Sequence, residues 1–258
     1  MRAFYAFTCL FILFILSAVF GCTAEDSSIY FDKLGSKLYS TRNYSEALDY
    51  YNMSIKQNPD YSDAWVHRGN AQKALRDMNG SIASYSQAAM LDGKNIAAWS
   101  GLTDAHMALK DYANALEAAT RQNALDPKNK GNWVKEGQLL QLLGRFEESI
   151  SRFDNAIALD SNYKDAAYRK ALSLMAQNDT EQAIGLLDWI VAADAKNKLA
   201  YNAKGQALES QGKYREALAA YDRALGLDPK WNQPQINKMH VLLALGKDKE
   251  AVDIFQKI

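Results

Sequence analysis

The chain repeats itself every 34 residues, and that period constrains its fold more than any other feature. Cut from Ser28, at 62, 96, 130, 164, 198 and 232, it puts Phe31, Trp65, Trp99, Trp133, Ala167, Tyr201 and Gln235 at the fourth place. The eighth place holds Gly35, Gly69, Thr103, Gly137, Ala171, Gly205 and Met239. The twentieth is always small: Ala47, Ser81, Ala115, Ser149, Ala183, Ala217 and Ala251. The twenty-fourth holds Tyr51, Tyr85, Ala119, Phe153, Leu187, Tyr221 and Phe255. The thirty-second gives Pro59, Gly93, Pro127, Ser161, Ala195 and Pro229, and no insertion breaks the register.

Each unit reads as two amphipathic helices. In Ser62–Leu75, Ser62 is expected to cap the helix start, while Trp65, Gly69 and Gln72 share one face. A short polar turn follows, such as Arg76–Asn79 or Gly212–Lys213, and a second helix runs to the Pro, Gly or Ser that stops it. Gly at the eighth place and Ala or Ser at the twentieth let two backbones approach, and the aromatic at the twenty-fourth fills the space beside them. So short a helix pair cannot bury its apolar face alone, so neighbouring pairs must stack.

On these residues the chain resembles the tetratricopeptide-repeat family from Ser28 to Ile258. The resemblance implies an all-α, right-handed superhelical solenoid of stacked antiparallel helix pairs. Six repeats are full (28–61, 62–95, 96–129, 130–163, 164–197 and 198–231) and the seventh, 232–258, is truncated. A pentatricopeptide reader of RNA would have a 35-residue period. Repeats five and seven depart from the pattern at Ala167, Leu187 and Ala195, and at Gln235 and Met239.

The first 21 residues read as a signal peptide or membrane anchor, and 22–27 as a short tether. One basic residue, Arg2, precedes an uninterrupted, largely apolar run from Ala3 to Phe20. The run ends in Val-Phe-Gly-Cys, which resembles a prokaryotic lipobox and makes Cys22 the lipidation residue. Phe20 departs from that pattern, which favours a small or β-branched residue there. An uncleaved anchor, or cleavage after Ala24 to give a secreted form, are the alternatives. All three put the repeats outside the cytoplasm, in the cell envelope of a prokaryote or secreted.

Thirty basic and thirty acidic residues cancel, so charge gives no reason to seek nucleic acid. Both cysteines, Cys9 and Cys22, lie in the leader, which leaves the repeats without a disulfide, a thiol nucleophile or a Cys-based metal site. His67, His106 and His240 are scattered, and no phosphate loop is present, so neither enzyme, cofactor nor metal chemistry is expected. His106, at an eleventh place, reads as a core histidine. Asp126, Asp160, Asp194 and Asp228 recur before the inter-repeat turn, where they cap or solvate helix ends. Asn43, Asn52, Asn79 and Asn178 begin glycan-acceptor triplets, which also arise by chance.

The resemblance further implies a concave groove lined by places 2, 5, 9, 12 and 13. Here these include Asn70, Lys73, Asp104, Met107, Val134, Gln138, Gln141 and Leu142, then Tyr168, Leu172, Met175, Asn202, Gln206 and Glu209. An apolar patch flanked by amides suits an extended peptide or a helix, so the expected partner is a protein or peptide. No fifth place is basic and only Asn70 matches at a ninth, so the clamp that chaperone-binding repeats use for acidic tails is absent. A rival role is a self-associating assembly factor of the envelope, working through a C-terminal end that presents Leu242, Leu243, Val252, Ile254, Phe255 and Ile258.

Overall fold

The computed structural model describes residues 23–256. The leader, Cys22 and Ile258 therefore lie outside the described residues. Among those described there are fourteen α-helices and no strand. The fold divides after Asp126 into two compact units. The first contains α1 (Ala24–Ser40), α2 (Tyr44–Gln57), α3 (Ser62–Ala74), α4 (Met78–Leu91), α5 (Ile96–Ala108) and α6 (Tyr112–Leu125). The second contains α7 (Lys130–Leu142), α8 (Phe146–Leu159), α9 (Lys164–Ala176), α10 (Thr180–Ala193) and α11 (Lys198–Ser210). It continues with α12 (Tyr214–Leu227), α13 (Asn232–Ala244) and α14 (Asp248–Phe255). Odd-numbered helices open each repeat and even-numbered helices close it.

The first helix begins earlier than the period suggests. Thr23 and Asp26 form a capping box in which Thr23 Oγ1 accepts from Asp26 N at 3.1 Å and the Asp26 carboxylate accepts from Thr23 N at 3.0 Å. Residues Ala24–Ser27, expected in the 22–27 tether, are therefore helical. Ser62 also behaves differently from expectation. Tyr61 takes the N-cap position of α3, and the Ser62 hydroxyl instead donates to Ala88 O at 3.1 Å, tying α3 to α4.

In repeats one, two, four and six the seam is an aromatic ring laid on a glycine. A Cβ placed on Gly69 would lie 2.7 Å from the Tyr85 ring, which also presses on Gly101 of the next repeat. Tyr51, Phe153 and Tyr221 meet Gly35, Gly137 and Gly205 in the same way. Repeats three and five, which lack the glycine, exchange volume across the seam. Ala171 faces a buried Leu187, and Thr103 shares its repeat with a buried Ala119.

Between repeats the fourth place does a second job. The indole N–H groups of Trp65, Trp99 and Trp133 donate to the carbonyls of Pro59, Gly93 and Pro127 at 2.8, 2.9 and 2.8 Å. Gln235, a departure from the pattern in sequence, makes the same bond, its Nε2 donating to Pro229 O at 2.7 Å. In the second unit three ion pairs join the seventh place of one repeat to the twenty-fifth of the repeat before: Lys170–Asp154, Lys204–Asp188 and Lys238–Asp222.

The turn inside each repeat places its fifteenth residue in the left-handed region. That residue is Arg42, Arg76, Lys110 or Asn178, at φ 59–65°, or Gly144, Gly212 or Gly246. No helix among the described residues is long and apolar enough to cross a membrane.

Candidate protein-binding face

Successive opening helices touch one another, α1 with α3 and α3 with α5 in the first unit, and α7 with α9, α9 with α11 and α11 with α13 in the second. Closing helices have no comparable mutual contact among the described residues. In each unit the opening helices therefore lie on the inner side of the stack, and their outward stripe is the candidate face.

In the first unit the face is polar and internally paired. Asn70 Oδ1 accepts from the Tyr85 hydroxyl at 2.7 Å. Burial pushes that phenol well above its ordinary pKa and keeps it a donor. Lys73 Nζ reaches Asp104 Oδ2 at 3.5 Å, bridging α3 and α5, and Met107 is half-buried beside them.

In the second unit most polar candidates are also engaged. With its amide turned so that the oxygen meets the donors, Gln138 accepts from the Arg169 guanidinium, at 2.6 Å from Nη2 and 2.9 Å from Nε. Gln141 Nε2 donates to Arg169 O at 2.9 Å and to Ser173 Oγ at 2.7 Å. Asn202 is buried and accepts from Asn237 Nδ2 at 3.1 Å, while Glu209 accepts from the Tyr221 hydroxyl at 2.6 Å. Gln206 is half-buried. The apolar candidates remain open. Leu142 is 54% exposed, and Tyr168, Leu172 and Met175 are half-buried over a cluster built from Ala167, Ala171, Leu174 and Leu187. Val134 is buried and belongs to the core.

Two further residues belong to this face: Leu199, absent from the sequence expectations, and Leu243, expected at the C-terminal end. Leu199 stands at a second place and Leu243 at a twelfth, and both are exposed on opening helices. Their place numbers were the available signal. At that C-terminal end Val252 and Phe255 are exposed, Phe255 at 71%, and Ile254 is half-buried. Leu242, expected to be presented there, is buried because it faces the core rather than the outward stripe.

Several charged groups elsewhere have structural partners. His106 Nδ1 lies 3.0 Å from Asp111 Oδ2. Arg152 Nε donates to the almost fully buried Glu136 at 2.7 Å. Asp160 and Asp228 pair with Lys130 and Lys198 and accept from the backbone N–H two residues on, which holds both carboxyls below their usual range. No group of three or more His, Cys, Asp or Glu side chains is placed to hold a metal among the described residues. A cavity of about 330 Å³ lies off the candidate face, between α11 and α12, lined by Tyr201, Lys204, Leu208, Glu216, Ala219, Ala220 and Arg223.

A stack of helix pairs with a glycine–aromatic seam defines the class. The tetratricopeptide-repeat family model matches residues 33–96, 134–179 and 168–230, well over half of the sequence, and the chain belongs to that family. Solved structures agree on the fold. YrrB, described as a TPR protein with an unusual peptide-binding site, is similar at 16% identity and a TM-score of 0.65, over 73% of this chain and 97% of that one. A tetratricopeptide-repeat protein from Parabacteroides merdae is similar at 14% identity and a TM-score of 0.67, over 90% and 92%. PilW, a type IV pilus biogenesis factor, is similar at 20% identity and a TM-score of 0.64, over 76% and 91%. No curated protein sequence matches the chain.

Proposed function

We propose that the protein is a non-catalytic scaffold, tethered outside the cytoplasm, that holds a protein partner on the opening helices of its second unit. One observation carries the reading. The amides and carboxylates of that face bond mainly to their own chain, whereas Leu142, Tyr168, Leu172 and Met175 stay available to a partner. An extended peptide brings unpaired backbone amides that need partners from the receptor. A helix satisfies its own backbone and needs only an apolar floor. The face therefore favours an amphipathic helix, which sharpens the wider expectation of a peptide. A peptide-binding site on this fold is named for YrrB, which supports the general role.

The test is capture from membranes by crosslinking, comparing the native protein with a Tyr168→Ala, Met175→Ala double variant. Loss of a partner that the native protein retains is expected. An unchanged set of partners, with the variant still folded by circular dichroism, overturns the reading. The tether rests on the apolar run Ala3–Phe20 and on Cys22. Incorporation of a labelled fatty acid that disappears in Cys22→Ser separates lipidation from an uncleaved anchor and from secretion.

A further inference from the structure

Asp32 and His67 form a pair that neither the repeat pattern nor the binding face requires. Asp32 sits on α1, in the first repeat, with its side chain only 7% exposed. Its Oδ1 lies 2.7 Å from Nδ1 of His67 on α3, in the second repeat. The pair therefore crosses the boundary between two repeats rather than the seam within one. The His67 side chain is 35% exposed, so solvent protons reach it although its partner is buried.

The two charges that act on His67, Asp32 and Asp63, are both acidic. Asp63 on α3 adds a second negative charge acting on His67. The Tyr51 ring of α2 lies 5.6 Å from the imidazole, and the Tyr61 phenol, ahead of α3, feels Asp32 and Asp63. The nearest cation in sequence, Arg68, is turned away, donating to Ser84 and lying 4.1 Å over Trp65. A buried carboxylate is costly to leave unpaired, and the His67 imidazolium is the partner that the structure gives it.

We propose that Asp32 and His67 form a proton-operated latch that closes the first repeat onto the second when the imidazole is charged and relaxes as the surroundings turn alkaline. Burial works against protonation of His67, but the hydrogen bond and charge of Asp32, helped by Asp63, outweigh it and raise its pKa. The folded junction therefore binds the proton more tightly than the unfolded chain does. Stability from the latch is complete below the ordinary histidine pKa and is lost as pH rises through the raised value.

The test follows the imidazole and the helix separately in the full chain. The NMR titration of His67 is expected to lie above the ordinary histidine value and to return toward it in Asp32→Asn. Amide exchange of α1, corrected for the intrinsic pH dependence of exchange, should slow as the solution is acidified through that titration. The opening equilibrium should change by up to about tenfold per unit by which the pKa is raised. In His67→Gln, which keeps a side-chain N–H donor, this dependence should vanish. A His67 titration at or below the ordinary value overturns the latch, as does an unchanged pH dependence in His67→Gln. Neither outcome touches partner binding by the second unit, so the two readings fail independently.

Discussion

Tyr221 serves at once as a wedge and a tie. Its ring fills the space left by Gly205, and its hydroxyl donates to Glu209 on the outer stripe of α11. Burial and the neighbouring carboxylate raise its pKa, so it stays a donor throughout the physiological range. Tyr221→Ala would empty a fully buried site, and a loss of about 3–5 kcal/mol is expected in urea unfolding. The reciprocal change, Gly69→Ala, pushes a methyl into Tyr85, which Gly101 blocks on its other side, and should cost about 1–3 kcal/mol. The wedge was legible in the sequence, because glycine and an aromatic recur sixteen residues apart. The tie was not: Tyr85 finds Asn70 and Tyr221 finds Glu209, acceptors at different places of their repeats. Gln235 shows the opposite kind of blindness. By residue type it breaks the pattern, yet its amide N–H replaces the indole donor at the same carbonyl.

The helices themselves follow from the period, and so do their turns, but the turns carry a cost that letters alone hide. Arg42, Arg76 and Lys110 adopt positive φ where four other repeats have glycine or asparagine. A side chain with a Cβ is strained there, by roughly 1–2 kcal/mol, against which glycine loses some unfolded-state entropy. Arg76→Gly is accordingly expected to stabilise the chain by about 0.5–1 kcal/mol, read as a higher urea midpoint with an unchanged slope. The Lys–Asp ladder joining α8 to α9, α10 to α11 and α12 to α13 also went unseen, because its residues fall outside the places that define the repeat. Its carboxylates are about half exposed, so each rung contributes little, about 0–1 kcal/mol, and less in salt. The candidate face was only half legible. Place numbers located the stripe, but hydrogen bonds to partners 12–35 residues away, most of them in the next repeat, decided which members remain free.

For the whole chain, two sets of titrating groups act in opposite directions. Asp160 and Asp228 have depressed pKa values, first because Lys130 and Lys198 donate to them. Asp111 is lowered chiefly by Asn114, with His106 adding to it. Their contribution is present above the ordinary carboxylate pKa and is lost as pH falls through the depressed value. His67 is raised, so its contribution is lost on the alkaline side instead. Thermal stability should therefore peak on the acid side of neutrality, between about pH 5 and 6.5, and decline toward pH 8. His67→Gln should flatten the alkaline decline and leave the acid limb in place. A native profile that rises from pH 6 to 8 would contradict this.

The exchange of volume across the glycine–aromatic seam sets rules for recombination. A crossover between repeats that cuts between the eighth and twenty-fourth places would pair Thr103 with Tyr85, or Gly69 with Ala119. The first junction clashes and the second leaves a void. Cuts at inter-repeat turns keep each matched pair together, so shuffling of such a chain survives at those joints. Even there Tyr85 adds a restriction, because its ring rests on Gly101 of the following repeat, and repeats two and three have to travel as one block.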